Sequence, residues 1–483
     1  MRILFMADRF PPVGSAAAAA LTLGRALARR HEVQVVWGEH ESGPPGLRYE
    51  DCEGLRGVRI SLPPPQDLPG TLGLLDRAAG RLLGGYLQHW RPEVIHVLAW
   101  GVLTPWSAWV AARLGIPTVV TVRDFQPLCH RGTLYDMVGR PCAGPRGGAE
   151  CLLRGCMEHP AAAYLGAQAP AAPAPAEPEA EQAPSTTPPL PPWYQALRRM
   201  PPFVKNLAPG SLRRAARGRA EGGGGPAAPT PASGQAFMPD SLLPWAAEWR
   251  GRFLRETLGL AARVMVTSES LREPLASMLP ERVVPLVMPE VMPPRAEPGL
   301  APHAGFTIGY VGRLEPSRRV TDVIRAAGLL GRKDTRLLMI GGGQAEYVGA
   351  LRQQARGPEA ALLGQVLPEQ LEQALAEMDV LVLPGGARQP LPSALALARA
   401  RGLPVIAAAS RDLSRAISDG LTGLLYRPGD VGELTSKLGR LADDAELRAR
   451  LAKSAREMAP DFDQAIAALE AQYRQAAGVE GRR

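Results

Sequence analysis

Short apolar runs recur along this chain, each closed by turn residues and followed by an Ala/Leu-rich stretch. Arg2 to Ala7 reads as a buried strand, Arg9 to Ser15 as a Pro/Gly loop, and Ala16 to Arg30 as a helix with an Ala/Leu face. Glu32 to Trp37, Val94 to Leu98 and Thr118 to Val122 read as further strands. A helix running to Ala112 and the turn Gly115-Ile116-Pro117 separate the last two. Strands that alternate with helices predict a parallel sheet covered on both faces, in the manner of a Rossmann-like half.

The rhythm stops and then resumes. Residues 160–192 and 222–236 are low-complexity and Ala/Pro-rich and read as a disordered insertion, placed at 160–240 as a whole. Leu242 to Arg263 predicts a helix leading into the strand Val264-Met265-Val266, so 1–159 and 241–288 form one domain. The Pro-rich stretch 289–304 reads as a linker. Residues 305–460 then repeat the alternation, with strands at Thr307–Val311, Arg336–Ile340, Val380–Leu383 and Val405–Ala407. Phe462 to Ala476 predicts a closing helix within 461–483. Two α/β halves joined in this way enclose a cleft, and ligands of such sheets bind at the carboxyl ends of the strands.

Composition adds limits. With 46% hydrophobic residues among 483, both halves can bury a core. The opening MRILFMADRF is too short an apolar run for a secretory signal, and no stretch approaches the about 20 apolar residues of a spanning helix, so a cytoplasmic protein is expected. A net charge of +8 suits anionic partners: nucleotide phosphates, lipid phosphates or nucleic acid. Trp193 to Arg219 holds basic residues and no acidic one, interleaved with Trp193, Tyr194 and Phe203. It reads either as a solvated linker or as a surface that docks on anionic membrane, peripherally at its inner face. Nucleic acid is not expected, because no nucleic-acid module frames the segment. Cys129, Cys142, Cys151 and Cys156 cluster without a CxxC pair, so zinc is the lesser reading beside small residues of a packed loop.

Four segments carry candidate chemistry. Gly309 to Arg318 leaves a strand and enters a helix, with Arg313 and Arg318 five positions apart at the strand end. Cations there face one diphosphate and stabilise it as a leaving group. They also oppose the helix macrodipole, so an ordinary helix start would favour acids instead. Pro11-Pro12-Val13-Gly14-Ser15 precedes a helix whose first N–H groups form an anion site. Ile340-Gly341-Gly342-Gly343 is a glycine turn after a strand. Asp379 to Ala407 reads strand, Gly-rich loop, helix, turn, strand.

Together with Val120 to Leu134, Gly139 to Pro145 and Asp419 to Asp430, these segments resemble the GT-B glycosyltransferases of family GT4. The resemblance implies two facing Rossmann-like domains with parallel sheets. It also implies a nucleotide-diphosphate sugar as co-substrate with no firm cofactor, and metal-independent transfer with retention to a glycan or polyprenyl-lipid acceptor, as in cell envelope polysaccharide assembly. On that likeness Arg313 and Arg318 hold the donor phosphates, and Gly14 and Ser15 close over them. Gly364 belongs to the segment against the nucleobase, while Gln389, Pro390, Leu391 and Leu397 line the donor pocket. Arg123, Asp124 and Gln389 stand at the reacting centre.

The likeness breaks at that pocket. Arg123 stands where the family has histidine, and Gln389 and Leu397 where it has glutamates. Arg411-Asp412 replaces a Gly-Gly pair and Arg415 a glutamate, and these arginines are expected to add positive charge to the pocket. Leu397 cannot grip a ribose, and a lost charged hydrogen bond costs roughly 1.5–3 kcal/mol. Two readings stay open: an active transferase, or a catalytically degenerate GT-B protein acting as a binding or partner subunit in glycan assembly. A dehydrogenase is not expected, since no G-x-G-x-x-G follows the first strand.

Overall fold

The computed structural model describes residues 1–7, 15–63, 77–99, 103, 106–125, 254–281, 283–288, 305–355, 360–387 and 389–478. The N-terminal half is built from β1 (Arg2–Met6), α1 (Ser15–Ala28), β2 (Glu32–His40), β3 (Gly46–Cys52), β4 (Leu55–Leu62), α2 (Arg77–Trp90), β5 (Val94–Val97), α3 (Trp106–Arg113), β6 (Thr118–Val122), β7 (Arg263–Val266), α4 (Glu269–Ala276) and β8 (Leu286–Val287). Its eight strands run in the order β3-β4-β2-β1-β5-β6-β7-β8. The central strands are apolar on both faces because helices cover both: Leu83, Leu87 and Leu271 pack on one side, Leu23 and Leu27 on the other.

The sheet is not wholly parallel. β3 pairs with β4 antiparallel at one edge, a hairpin the apolar pattern did not announce. Its turn is Glu53-Gly54, both at positive φ (51° and 87°), which suits the twist of a two-residue hairpin loop. β3 is an edge strand with much of its length exposed, so it lacks the apolar run that marks a buried strand. Of the expected helix 242–263, residues 254–259 are helical; 242–253 lie outside the described residues, as do 126–241, which hold the Cys cluster, the low-complexity tracts and the basic segment.

The C-terminal half follows as β9 (Phe306–Val311), α5 (Val320–Leu329), β10 (Thr335–Ile340), α6 (Ala345–Gln354), β11 (Ala360–Gly364), α7 (Pro368–Ala376), β12 (Val380–Leu383), α8 (Ser393–Arg401), β13 (Val405–Ala408), α9 (Arg411–Ala416), β14 (Leu424–Tyr426), α10 (Val431–Asp443), α11 (Ala445–Glu457) and α12 (Phe462–Ala476). Its six strands are all parallel, in the order β11-β10-β9-β12-β13-β14. The chain winds outward from β9 through β10 and β11, then returns to lay β12 on the other side of β9. That reversal opens a crevice between the carboxyl ends of β9 and β12.

Helix α12 ends the second half but packs on the first. Ile466, Leu469 and Tyr473 join the N-terminal core around Phe5, Trp37 and Val119. The nearly buried Glu470 meets Arg30 at 3.1 Å and His31 at 3.2 Å. The buried His96 imidazole of β5 is bracketed by the Tyr473 hydroxyl at 2.6 Å and the Thr121 hydroxyl at 2.7 Å. Burial, helped by the field of Arg123, pushes its pKa down to about 3. No helix among the described residues is long and apolar enough to cross a membrane.

His96 therefore makes stability depend on pH. Its native pKa lies below the unfolded value, so stability is full above about pH 6.5 and falls as pH drops towards 3; at pH 5 the loss is about 2 kcal/mol. In His96→Gln that component disappears. Urea unfolding at pH 7 and pH 5 should show the drop between them shrinking by about 2 kcal/mol relative to the parent protein.

Candidate active site

The crevice is built first from backbone. Past β9, the Gly312 amide bonds the Ile340 carbonyl at 2.9 Å and the Leu314 amide bonds the Gly342 carbonyl at 2.8 Å. The two loops lie so close that a Cβ on Gly341 (φ 146°) would sit 1.8 Å from the Gly312 carbonyl oxygen. One on Gly343 would sit 2.1 Å from the Leu314 carbonyl oxygen. Only glycine permits this approach. Gly364, at the end of β11, accepts the Gly341 amide at 2.8 Å and so braces the same loop. Tyr310 donates its hydroxyl to the Arg313 carbonyl at 2.6 Å, and burial holds that phenol protonated.

On this base stand the two arginines. Arg318, at the end of a 3₁₀ turn over Pro316–Arg318, meets Glu315 at 3.2 Å. Arg313 reaches Glu315 at 3.7 Å and, from the other domain, Asp124 at 3.8 Å. Both are partly exposed, so the pairs bind weakly and are open to exchange for a ligand anion. Glu315 was missed as a site residue in the sequence, although an acid two positions after one arginine and three before the other was a readable signal.

Gln389 closes the far wall. It is 7% exposed; its amide nitrogen donates to the Pro384 carbonyl at 3.2 Å and its oxygen accepts from Arg318 Nη1 at 2.5 Å. Gly385 makes room for it, since a Cβ there would come within 1.5 Å of the amide. From the N-terminal domain, Arg123 directs Nη2 to the Ser393 hydroxyl at 3.4 Å, at the first turn of α8. The structure thus gathers Arg123, Asp124, Arg313, Arg318 and Gln389 around one crevice. Pro390 is buried beside Gln389. Leu391 and Leu397 are half-buried against the C-terminal core formed by Leu381, Leu395 and Val405.

Other expectations fare differently. Arg411 and Arg415 are not in the pocket: both are exposed on α9, where Arg411 pairs with Glu273 at 3.3 Å, because Asp412 rather than either arginine occupies the inward face of that turn. Ser15 begins α1; Gly14, Cys129, Cys142, Cys151 and Cys156 lie outside the described residues. Among the described residues no group of His, Cys, Asp and Glu could hold a metal ion.

Comparison with known proteins places this geometry. The family model for glycosyl transferases group 1 matches residues 305–444, and that for the glycosyl transferase 4-like domain matches residues 14–183. The chain belongs to the GT-B glycosyltransferases of GT4 type. Among its relatives, the sulfoquinovosyl transferase SQD2 of Arabidopsis thaliana is 33% identical over 170 residues, covering 35% of this chain and 31% of that protein. The D-inositol 3-phosphate glycosyltransferase of Nocardia farcinica is 34% identical over 170 residues, covering 32% and 37%. The matches thus span about a third of the length of these relatives. Sucrose-phosphate synthase of Thermosynechococcus elongatus superposes with a TM-score of 0.56 at 17% identity over 99% of both chains. Anabaena HepE, solved with UDP and glucose, gives 0.53 at 14% identity over 98% of both. At such identities the likeness is one of fold.

One residue beside the loop that carries Arg313 and Arg318 is held against its preference. Arg319 sits at φ 52°, in the left-handed region, at the N-cap of α5. Its guanidinium pairs with the buried Asp322 at 2.7 Å. Arg319→Gly and Arg319→Ala both lose that pair, but only alanine keeps the backbone strain. The glycine variant should unfold at the higher urea concentration, by roughly 1 kcal/mol.

Proposed function

We propose that the protein is a retaining, metal-independent glycosyltransferase that takes its sugar from a nucleotide-diphosphate donor. The observation that carries this reading is the pair Arg313 and Arg318 at the carboxyl end of β9, above a loop that only glycine can form. Both arginines rest on Glu315, and Arg313 also meets Asp124 across the cleft. A donor diphosphate displaces these carboxylates and takes over the guanidinium groups, whose fixed charge then favours departure of the nucleoside diphosphate. Asp124 and Arg123, brought from β6, face the sugar side of the bond that breaks. The acceptor is a glycan or a polyprenyl-linked lipid, and the basic segment 193–219 supports a peripheral position at the inner face of an anionic membrane.

A second reading has its own support. Gln389 is neutral and already bonded to Pro384 and Arg318, and Leu397 packs against the core. Neither offers a carboxylate to the donor, which suits a GT-B protein that binds without turning over and serves as a partner subunit in glycan assembly.

Titration with nucleoside diphosphates and their sugars, UDP and UDP-glucose first, followed by thermal shift and calorimetry, tests the reading. A diphosphate should bind, and Arg318→Ala should weaken it by about tenfold or more. Sugar release or transfer that vanishes in Arg313→Ala establishes the transferase. Binding without turnover leaves the partner-subunit reading, and absence of any shift across the panel defeats the transferase and favours the partner subunit.

A further inference from the structure

The two domains meet in the cleft through contacts that are long or exposed. Arg313 to Asp124 is 3.8 Å, and Arg123 to Ser393 is 3.4 Å. Arg411 to Glu273 joins α9 to α4 at 3.3 Å between two exposed side chains, a geometry of little strength. Among the described residues on this side of the molecule, the contact at Asp412 is of another kind. Asp412, in the first turn of α9, is 5% exposed. Its carboxylate accepts from the Ser270 hydroxyl at 2.5 Å and from the Ser270 amide at 3.3 Å, both on α4 of the N-terminal domain.

The start of α4 explains why the contact matters. Its N-cap, Ser268, is a residue type that ordinarily closes a helix with its own hydroxyl, yet it makes no side-chain capping bond. The Ser268 hydroxyl instead lies 3.2 Å from that of Ser270. The Ser270 amide is one of the donors a helix start leaves without an intrahelical partner, and Asp412 supplies that partner from the opposite domain. On its own side, Asp412 is fixed by the cap of α9, where Ser410 accepts the Leu413 amide. The carboxylate therefore lies at the positive starts of two helices at once, one from each domain. It keeps both bonds only while the domains stay together.

We infer that Asp412 and Ser270 form a clasp across the domain boundary, with Asp412 as a positioning residue. It caps α4 in trans and holds the closed arrangement in which Asp124 and Arg123 stand against Arg313 and Ser393. Separation of the domains strips α4 of its cap and exposes the carboxylate, so the clasp biases the cleft towards closure. A ligand that also needs the closed cleft and the clasp strengthen each other reciprocally. This effect on ligand rests on the nucleotide-diphosphate reading of the cleft; the clasp itself does not.

Two measurements on the full chain separate these layers. Small-angle X-ray scattering without ligand compares the parent protein with Ser270→Ala, Asp412→Ala and the double variant, each first shown to melt cooperatively. Both single variants should enlarge the particle, and the double variant should enlarge it no further than the larger single effect, because either change removes the same contact. Nucleoside diphosphate titration should show each single variant weakened by about tenfold, again without further loss in the double variant. Unchanged scattering, or effects that simply add, overturns the clasp. The titration uses whichever nucleoside diphosphate of the panel binds the parent protein; should none bind while the scattering behaves as described, the clasp stands and the nucleotide reading falls. Asp412 lies in one domain and Ser270 in the other, so failure of one variant to fold leaves the other to decide.

Discussion

No side chain fits between the Gly341 α-carbon and the Gly312 carbonyl, and the placement of Arg313 and Arg318 in the cleft depends on that closeness. The loops after β9 and β10 are bonded backbone to backbone, so neither can wander without breaking the other's hydrogen bonds. Gly364 braces the pair from β11, and Tyr310 pins the Arg313 carbonyl from below. Arg313 and Arg318 therefore project from a frame set by main-chain geometry.

Within that frame the charges are balanced by groups a ligand can displace. Glu315 serves both arginines, and Asp124 reaches Arg313 from the other domain. Gln389 is held differently: it is buried, satisfied on both sides of its amide, and seated in space that the missing side chain of Gly385 leaves open. A glutamate there would add an ion pair to Arg318; the neutral amide keeps the bond and leaves the arginine's charge uncompensated on that side.

The buried parts of this architecture were readable from the sequence for a physical reason. Strands covered on both faces are mostly apolar, so β5, β6, β9 and β12 stand out, and α8 and α12 end at their turn residues. Edge strand β3 has no such signature, because water rather than a helix covers much of it. The closeness of Arg313 and Arg318 was legible because both lie within one short segment. Arg411 and Arg415 were misplaced into the pocket for the converse reason: position in the chain says nothing of which face of a six-residue helix turns inward. Only proximity across domains shows that it is Asp412.

That same proximity gives the molecule its mechanical character. Helix α12 anchors the second half to the first with an apolar face, the buried His96–Tyr473 bond and the Glu470 carboxylate, which is itself withdrawn from water and meets Arg30 and His31. Contacts of that sort do not open in ordinary motion. The cleft side is joined instead by long, exposed arginine pairs and by the Asp412 carboxylate at the start of α4. A joint that is apolar and fixed at one side and polar and reversible at the other behaves as a hinge with a catch. The chain's two departures at Arg411-Asp412 and Gln389 fall on the catch and on the site it guards. Physically they belong together, since a site that relies on arginines for an anion gains most when the cleft is held shut and water is kept from screening them.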